Sequence, residues 1–251
     1  MTSLATLNAA SAGDFATALD GIFERAPWVA AGAAAARPFA DAASLHATLM
    51  QALRDAGDAA CHAFLNGHEP LVAGPLPESL TASSRVEQGD LPLGALIGAE
   101  VLAALNATYR QRFGVPFIIA LRRHTAANVL RELHRRLVAD PVAELQTALV
   151  EVGHVTRYRL LARLGETPAP GSIVADLAQS LPDGSVLLLS REGQVIARHA
   201  PAPGCHGPVS LWQEAPLRLG HYRLTVGERG YDIWPEAAEG ENLVSQFEGG
   251  G

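Results

Sequence analysis

His68 is the residue best placed for acid–base chemistry in this sequence. An imidazole titrates near neutral pH and can accept and return a proton under working conditions. It stands in Gly67 to Glu78, a stretch whose Gly67, Pro70, Gly74, Pro75 and Pro77 break any helix. A loop of that length between helices is a functional candidate, although a lone loop histidine is ordinarily just solvated. Further on, Ser84, Glu87 and Gln88 fall at i, i+3 and i+4, so a helix would put a hydroxyl, a carboxylate and a carboxamide on one face. The same stretch has a plainer reading, because Ser84-Arg85-Val86-Glu87 has the spacing of a capping box at a helix start. The two readings are compatible, since a helix amino terminus favours an anion. Arg122 and Arg123 follow an apolar run and either meet a carboxylate bidentately or lie on the surface.

Other chemistries are excluded by what is missing. All 19 basic residues are Arg, so a Schiff base to a Lys amine and a Walker-type phosphate loop are both ruled out. No His-Glu-x-x-His, paired Cys or similar ligand spacing occurs, so no metal is expected. Cys61 and Cys205 are the two cysteines and imply no disulfide framework. The net charge of −7 argues against nucleic acid or an anionic membrane as partner. The start of the chain lacks a basic segment leading into an apolar run, and Trp28 to Ala36 is too short to span a bilayer, so a cytoplasmic protein is expected.

The positioning elements read as helices as far as about Leu164, with apolar residues recurring at three and four. Asp41 can cap a helix through Leu45, Leu49 and Leu53, and a short helix carries Ala59, Ala63 and Phe64. Glu100 to Arg110 reads as a helix that stops near Gly114. Phe117-Ile118-Ile119-Ala120-Leu121 is apolar on every side and belongs in the interior, where its backbone polar groups need partners. Thr125 caps the next helix, and Asp140-Pro141 opens a long last one through Leu160. Thr167 to Gly171 reads as a linker, and short runs at 185–190, 195–197 and 221–226 predict a small β module.

Several of these stretches, in order, resemble the 2-oxo-4-hydroxy-4-carboxy-5-ureidoimidazoline (OHCU) decarboxylases of urate degradation. They are Gly21-Ile22-Phe23-Glu24, Pro27-Trp28-Val29, Arg37-Pro38-Phe39, Leu80 to Gln88, Leu105-Asn106, Tyr109-Arg110 and Arg112 to Ile119. The resemblance covers roughly residues 4 to 164. It implies an all-α, cofactor-free and metal-free domain, paired as a homodimer, that turns a small urate-derived substrate into (S)-allantoin and carbon dioxide. It implies His68 as the acid–base residue, helped by Glu87, with Ser84, Arg85, Val86 and Gln88 lining the substrate site. Phe117, Ile118, Ile119, Ala120 and Leu121 would supply backbone contacts, and Arg122 ends that signature. One departure stands out: the family has Pro directly after the His, whereas Glu69 precedes Pro70 here, which reshapes the expected Pro70 contact and puts a carboxylate where it could raise the pKa of His68.

The expected organisation is therefore an OHCU decarboxylase-like helical domain over 1–166, a linker over 167–171, a small all-β module over 172–240 and a disordered tail over 241–251. The β module is weakly similar to transthyretin-like 5-hydroxyisourate hydrolases in Asp183 to Val186, Glu192-Gly193 and Leu219 to Val226. Neither the His of that family's first strand nor its Tyr-Arg-Gly-Ser ending is found, which implies a degenerate module for docking or dimerisation. Two alternatives are a bifunctional enzyme that also hydrolyses 5-hydroxyisourate and a non-catalytic protein that binds a purine-like ligand.

Overall fold

The computed structural model describes residues 2–177 and 179–244. They form two compact units, one of residues 2–121 with 129–167, the other of residues 122–128 with 168–177 and 179–244.

The first unit is helical. Its elements are α1 (Leu4–Ala9), α2 (Ala12–Ala18), α3 (Pro27–Ala33), α4 (Ala42–Asp55), α5 (Asp58–Asn66), α6 (Ala82–Gly89), α7 (Ala99–Phe113), most of α8 (Ala126–Arg136) and α9 (Pro141–Leu164). Local signals set their ends. Asp41 accepts from the Ser44 amide while Ser44 answers the Asp41 amide, a reciprocal cap for α4. Asp140 accepts from the amides of Val142 and Ala143, with Pro141 at the first helical position. Gly114 closes α7 with φ of 71°, a left-handed turn that glycine adopts without steric cost. The core forms where apolar stripes meet: Leu45, Leu49 and Leu53 of α4 and Ala148, Leu149 and Val152 of α9 are all buried. Each such leucine contributes about 2 kcal/mol by leaving water.

In one place the capping expectation fails. The cap of α6 is Thr81, whose hydroxyl accepts from the Ser84 amide. Ser84 and Glu87 are therefore not a capping box. They sit inside the helix with their side chains committed elsewhere.

The second unit holds two sheets. One has strand order β4-β1-β7, the other β3-β2-β5-β6. The strands are β1 (Gly171–Leu177), β2 (Leu187–Arg191), β3 (Gln194–His199), β4 (Gly207–Glu214), β5 (Tyr222–Val226), β6 (Arg229–Ile233) and β7 (Gly240–Val244). Pairing is antiparallel except for β1 with β7. The period of two places Leu187 and Leu189, and Tyr222 and Leu224, in one core with Ile173, Ala175, Leu211, Leu217 and Ile233.

Three boundaries differ from expectation. Gly171, read as the end of the linker, starts β1, and a Cβ there would stand 2.4 Å from the Ala238 carbonyl oxygen. Residues 241–244, read as disordered, belong to β7, because pairing with β1 satisfies their backbone; the rest of that predicted tail lies outside the described residues. Residues 122–128 group with the β unit, where the Thr125 amide donates to the Leu219 carbonyl at 2.9 Å. The chain as a whole is thus not all-α. Both cysteines are free thiols.

Candidate active site

A cleft opens in the helical unit among the turn before α3, the end of α5, the loop after it, α6, the 117–121 segment and α9. Its empty space is about 610 Å3, counted out to where it meets solvent. Its lining combines apolar Phe64, Leu71, Ile119 and Val155 with polar His68, Ser84, Glu87, Gln88, Glu24 and Arg159.

His68 is held by its own helix end. Nδ1 lies 3.1 Å from the Phe64 carbonyl oxygen and 3.3 Å from that of Leu65. A carbonyl can only accept, so Nδ1 carries the proton and Nε2 keeps the lone pair. The ring packs edge-on against Phe64, with centroids 4.8 Å apart. Burial pushes the His68 pKa below its ordinary value, against the opposing pull of the Glu24 carboxylate and the Phe64 carbonyl. Burial thus favours the neutral form of the imidazole, whose Nε2 can take a proton.

Arg159 organises the polar side. Its Nε and Nη2 donate to the two oxygens of Glu87 at 3.0 and 2.7 Å, a bidentate pair. Its Nη1 lies 2.9 Å from Glu24 Oε1, so one guanidinium joins two carboxylates. Glu24 Oε1 also accepts from the hydroxyls of Thr81 and, at 2.7 Å, Ser84. Burial works to raise the Glu24 pKa, but Arg159 and the two hydroxyls outweigh it and keep the carboxyl below its ordinary range. Gln88 Oε1 is buried without a hydrogen-bond partner. Such an orphan acceptor in a cleft wall suits a ligand that brings an N–H.

The apolar wall is fastened from behind. Arg136, 1% exposed, donates from Nη1 to the Ile118 carbonyl at 2.8 Å and from Nε to Glu144 at 2.8 Å, and its guanidinium stands 4.6 Å from the Phe117 ring centre. Tyr109 donates to the same Glu144 carboxylate. The Ala120 amide donates to Glu151 at 2.8 Å. These are the partners that a buried segment of this kind requires.

The cleft therefore gathers eight of the residues singled out by sequence: His68, Ser84, Glu87, Gln88, Phe117, Ile118, Ile119 and Leu121. Five are placed elsewhere. Pro70 lines a separate apolar groove beside α7. Arg85 turns back to the Pro77 carbonyl at 3.1 Å, and Val86 is 55% exposed, because the face that carries Ser84 and Glu87 points them away. Ala120 is buried behind the wall, and Arg122 is exposed in the other unit. Glu69 does line the cleft, but it pairs with Arg25 at 3.8 Å. The carboxylate that favours a charged His68 is Glu24, and the net effect is a lowered pKa, not the raised one considered for Glu69. In the sequence Glu24 figures only as part of the family-like stretch Gly21-Ile22-Phe23-Glu24, with no site role, and Arg159 is not singled out, because nothing local to either residue signals their pairing.

A neutral histidine with one free nitrogen, facing paired carboxylates in a half-apolar cleft, defines an acid–base site for a small polar molecule. The sequence profile of the OHCU decarboxylase family matches residues 8–161, and the chain belongs to that family. Over 165 residues it is 37% identical to the bovine 2-oxo-4-hydroxy-4-carboxy-5-ureidoimidazoline decarboxylase, covering 64% of this chain and 97% of that one. It is 33% identical over 151 residues to the enzyme of the same name from Haloferax volcanii, covering 59% and 88%. The crystal structure of an (S)-allantoin synthase is similar over 97% of this chain and 96% of that one, with a TM-score of 0.53 and 19% identity, a likeness of fold that extends over both helical and β units.

Proposed function

We propose that this protein is a carboxy-lyase that converts OHCU into (S)-allantoin and carbon dioxide without a cofactor. The observation that carries the proposal is His68 in the cleft lining, its Nδ1 held by two carbonyls so that Nε2 keeps the lone pair. Family membership supplies the substrate class, and the orphan acceptor of Gln88 suits a ureido or ring N–H.

In this reading the C–CO2 bond breaks, its electron pair moves into the substrate's own imine, and carbon dioxide leaves. The imine nitrogen, left with that pair, takes one proton from solvent, while His68 Nε2 takes the substrate's hydroxyl proton as the carbonyl forms and returns it to the former imine carbon. Return from one fixed side would set the handedness of the product. Glu87, held through both oxygens by Arg159, balances charge and orients. The apolar wall excludes water, and fixed geometry replaces a diffusional encounter.

A homodimeric state, which rests on the family resemblance, and a cytoplasmic location belong to the same proposal. The β unit would serve docking or dimerisation and not 5-hydroxyisourate hydrolysis. The test is to generate the unstable substrate with urate oxidase and 5-hydroxyisourate hydrolase, then add this protein and follow circular dichroism. A growing (S)-allantoin signal above the spontaneous rate is expected. A racemic product at the spontaneous rate would sink the reading.

A further inference from the structure

Glu24 stands in the turn between α2 and α3, only 8% exposed, and takes no part in the chemistry above. Its Oε1 nevertheless accepts from the Thr81 hydroxyl, the Ser84 hydroxyl at 2.7 Å and Arg159 at 2.9 Å. Arg159 already has a bidentate partner in Glu87. A second carboxylate on one buried guanidinium is more than the ion pair requires, and it leaves these three groups with a net charge of one negative. The group that can restore neutrality is His68, by taking a proton.

The charged groups that line the cleft with His68 come from four elements. Glu24 lies on the turn before α3, Glu87 on α6, Arg159 on α9, and Glu69 on the following loop, where Arg25 holds it. Thr156 and Ser84 add neutral hydroxyls. Of these, Glu24 is the buried carboxylate that acts on the imidazole most directly.

We propose that Glu24 is a positioning residue for the decarboxylation, fixing the Arg159 guanidinium and the Ser84 hydroxyl and stabilising His68 in its protonated form between taking and returning the proton. This rests on the function proposed above. Once the imidazole has accepted a proton, it and Arg159 balance Glu24 and Glu87, and these four side chains sum to zero charge until the proton is returned to carbon.

Two substitutions separate charge from reach. Glu24→Gln keeps the length and removes the charge, whereas Glu24→Asp keeps the charge but is too short to hold Ser84 and Arg159 together. Glu24→Gln should move the acid limb of kcat/KM toward lower pH by about half a unit or more, because His68 loses an attracting carboxylate. It should lower kcat about tenfold with little change in KM, while Glu24→Asp lowers kcat and leaves the limb in place. An NMR titration of the His68 ring, identified by its absence in His68→Gln, should show the same downward shift in the substrate-free protein. That readout needs no turnover, so an inactive wild type would remove the proposed function and still leave the Glu24 to His68 link to be decided. A folded Glu24→Gln with an unmoved His68 midpoint would overturn the proposal, as would equal losses in both variants with one common pH profile. Should Glu24→Gln fail to fold, wild-type kcat in Glu24→Asp would overturn it.

Discussion

The helical unit has ion pairs that are almost fully buried, whereas among the described residues the ion pairs of the β unit run from partly buried, as in Arg191–Glu214, to exposed. In the first, Arg159, Glu24 and Glu87 have side-chain exposures of 9%, 7% and 12%, and the Arg136–Glu144 pair is closed off completely. In the second, the core is apolar apart from the Tyr222 hydroxyl, and the pairs His221–Asp232 and Arg223–Asp232 sit in water, with Asp232 53% exposed. Desolvation explains the contrast. Removing ions from water is costly and is tolerated where each charge has fixed partners, whereas solvated pairs are screened and contribute little. The difference locates the chemistry in the unit where carboxylates, guanidinium and imidazole are held without solvent.

That contrast can be broken experimentally, beginning where the effect should be greatest. Arg159→Met would leave Glu24 and Glu87 buried without a cation, a cost of about 3–5 kcal/mol in urea unfolding. Allantoin formation should fall together with stability. Arg136→Met should cost about 3 kcal/mol, since Glu144 loses its counter-charge. It should also lower kcat, because the Ile118 carbonyl loses the donor that fixes the cleft wall. Restored kcat in a stably folded Arg136→Met would show that the wall does not need its anchor.

A smaller effect is expected at His46, whose Nε2 lies 2.9 Å from Thr156 Oγ1 behind the cleft. Burial, followed by repulsion from Arg157, brings its pKa down to about 4 from 6.5. The native state then binds fewer protons than the unfolded chain between those values. Stability present above pH 6.5 is lost as pH falls toward 4, by about 3 kcal/mol at most. His46→Gln should flatten that stretch of the stability profile, and an unchanged slope would remove His46 as its cause. Least of all, Asp232→Asn in the β unit should leave both melting temperature and activity unchanged, because its partners are solvated.

Much of the scaffold was legible because its signals are local. Asp41, Asp140 and Gly114 end helices through bonds to their near neighbours, and the three-and-four spacing of α4 needs no partner to be seen. The polar face of α6 was legible for the same reason. What escaped depends on residues far apart in sequence. Glu87 and Arg159 are separated by 72 positions, and nothing near either one signals the pair. Ser84 has the spacing of a cap, yet Thr81 caps the helix while Glu24, from another element, engages the Ser84 hydroxyl. Gly171 looked like linker because Pro168 and Pro170 precede it, and the partners that make it a strand come from β4 and β7.

The central claim is that His68 Nε2 performs the proton transfers in this cleft. Its most direct test compares wild type with His68→Asn, shown to be folded by far-UV circular dichroism, in the coupled assay that starts from urate. The account requires stereospecific (S)-allantoin formation by wild type and only spontaneous, racemic allantoin with His68→Asn. Wild-type turnover of (S)-allantoin by folded His68→Asn would contradict it.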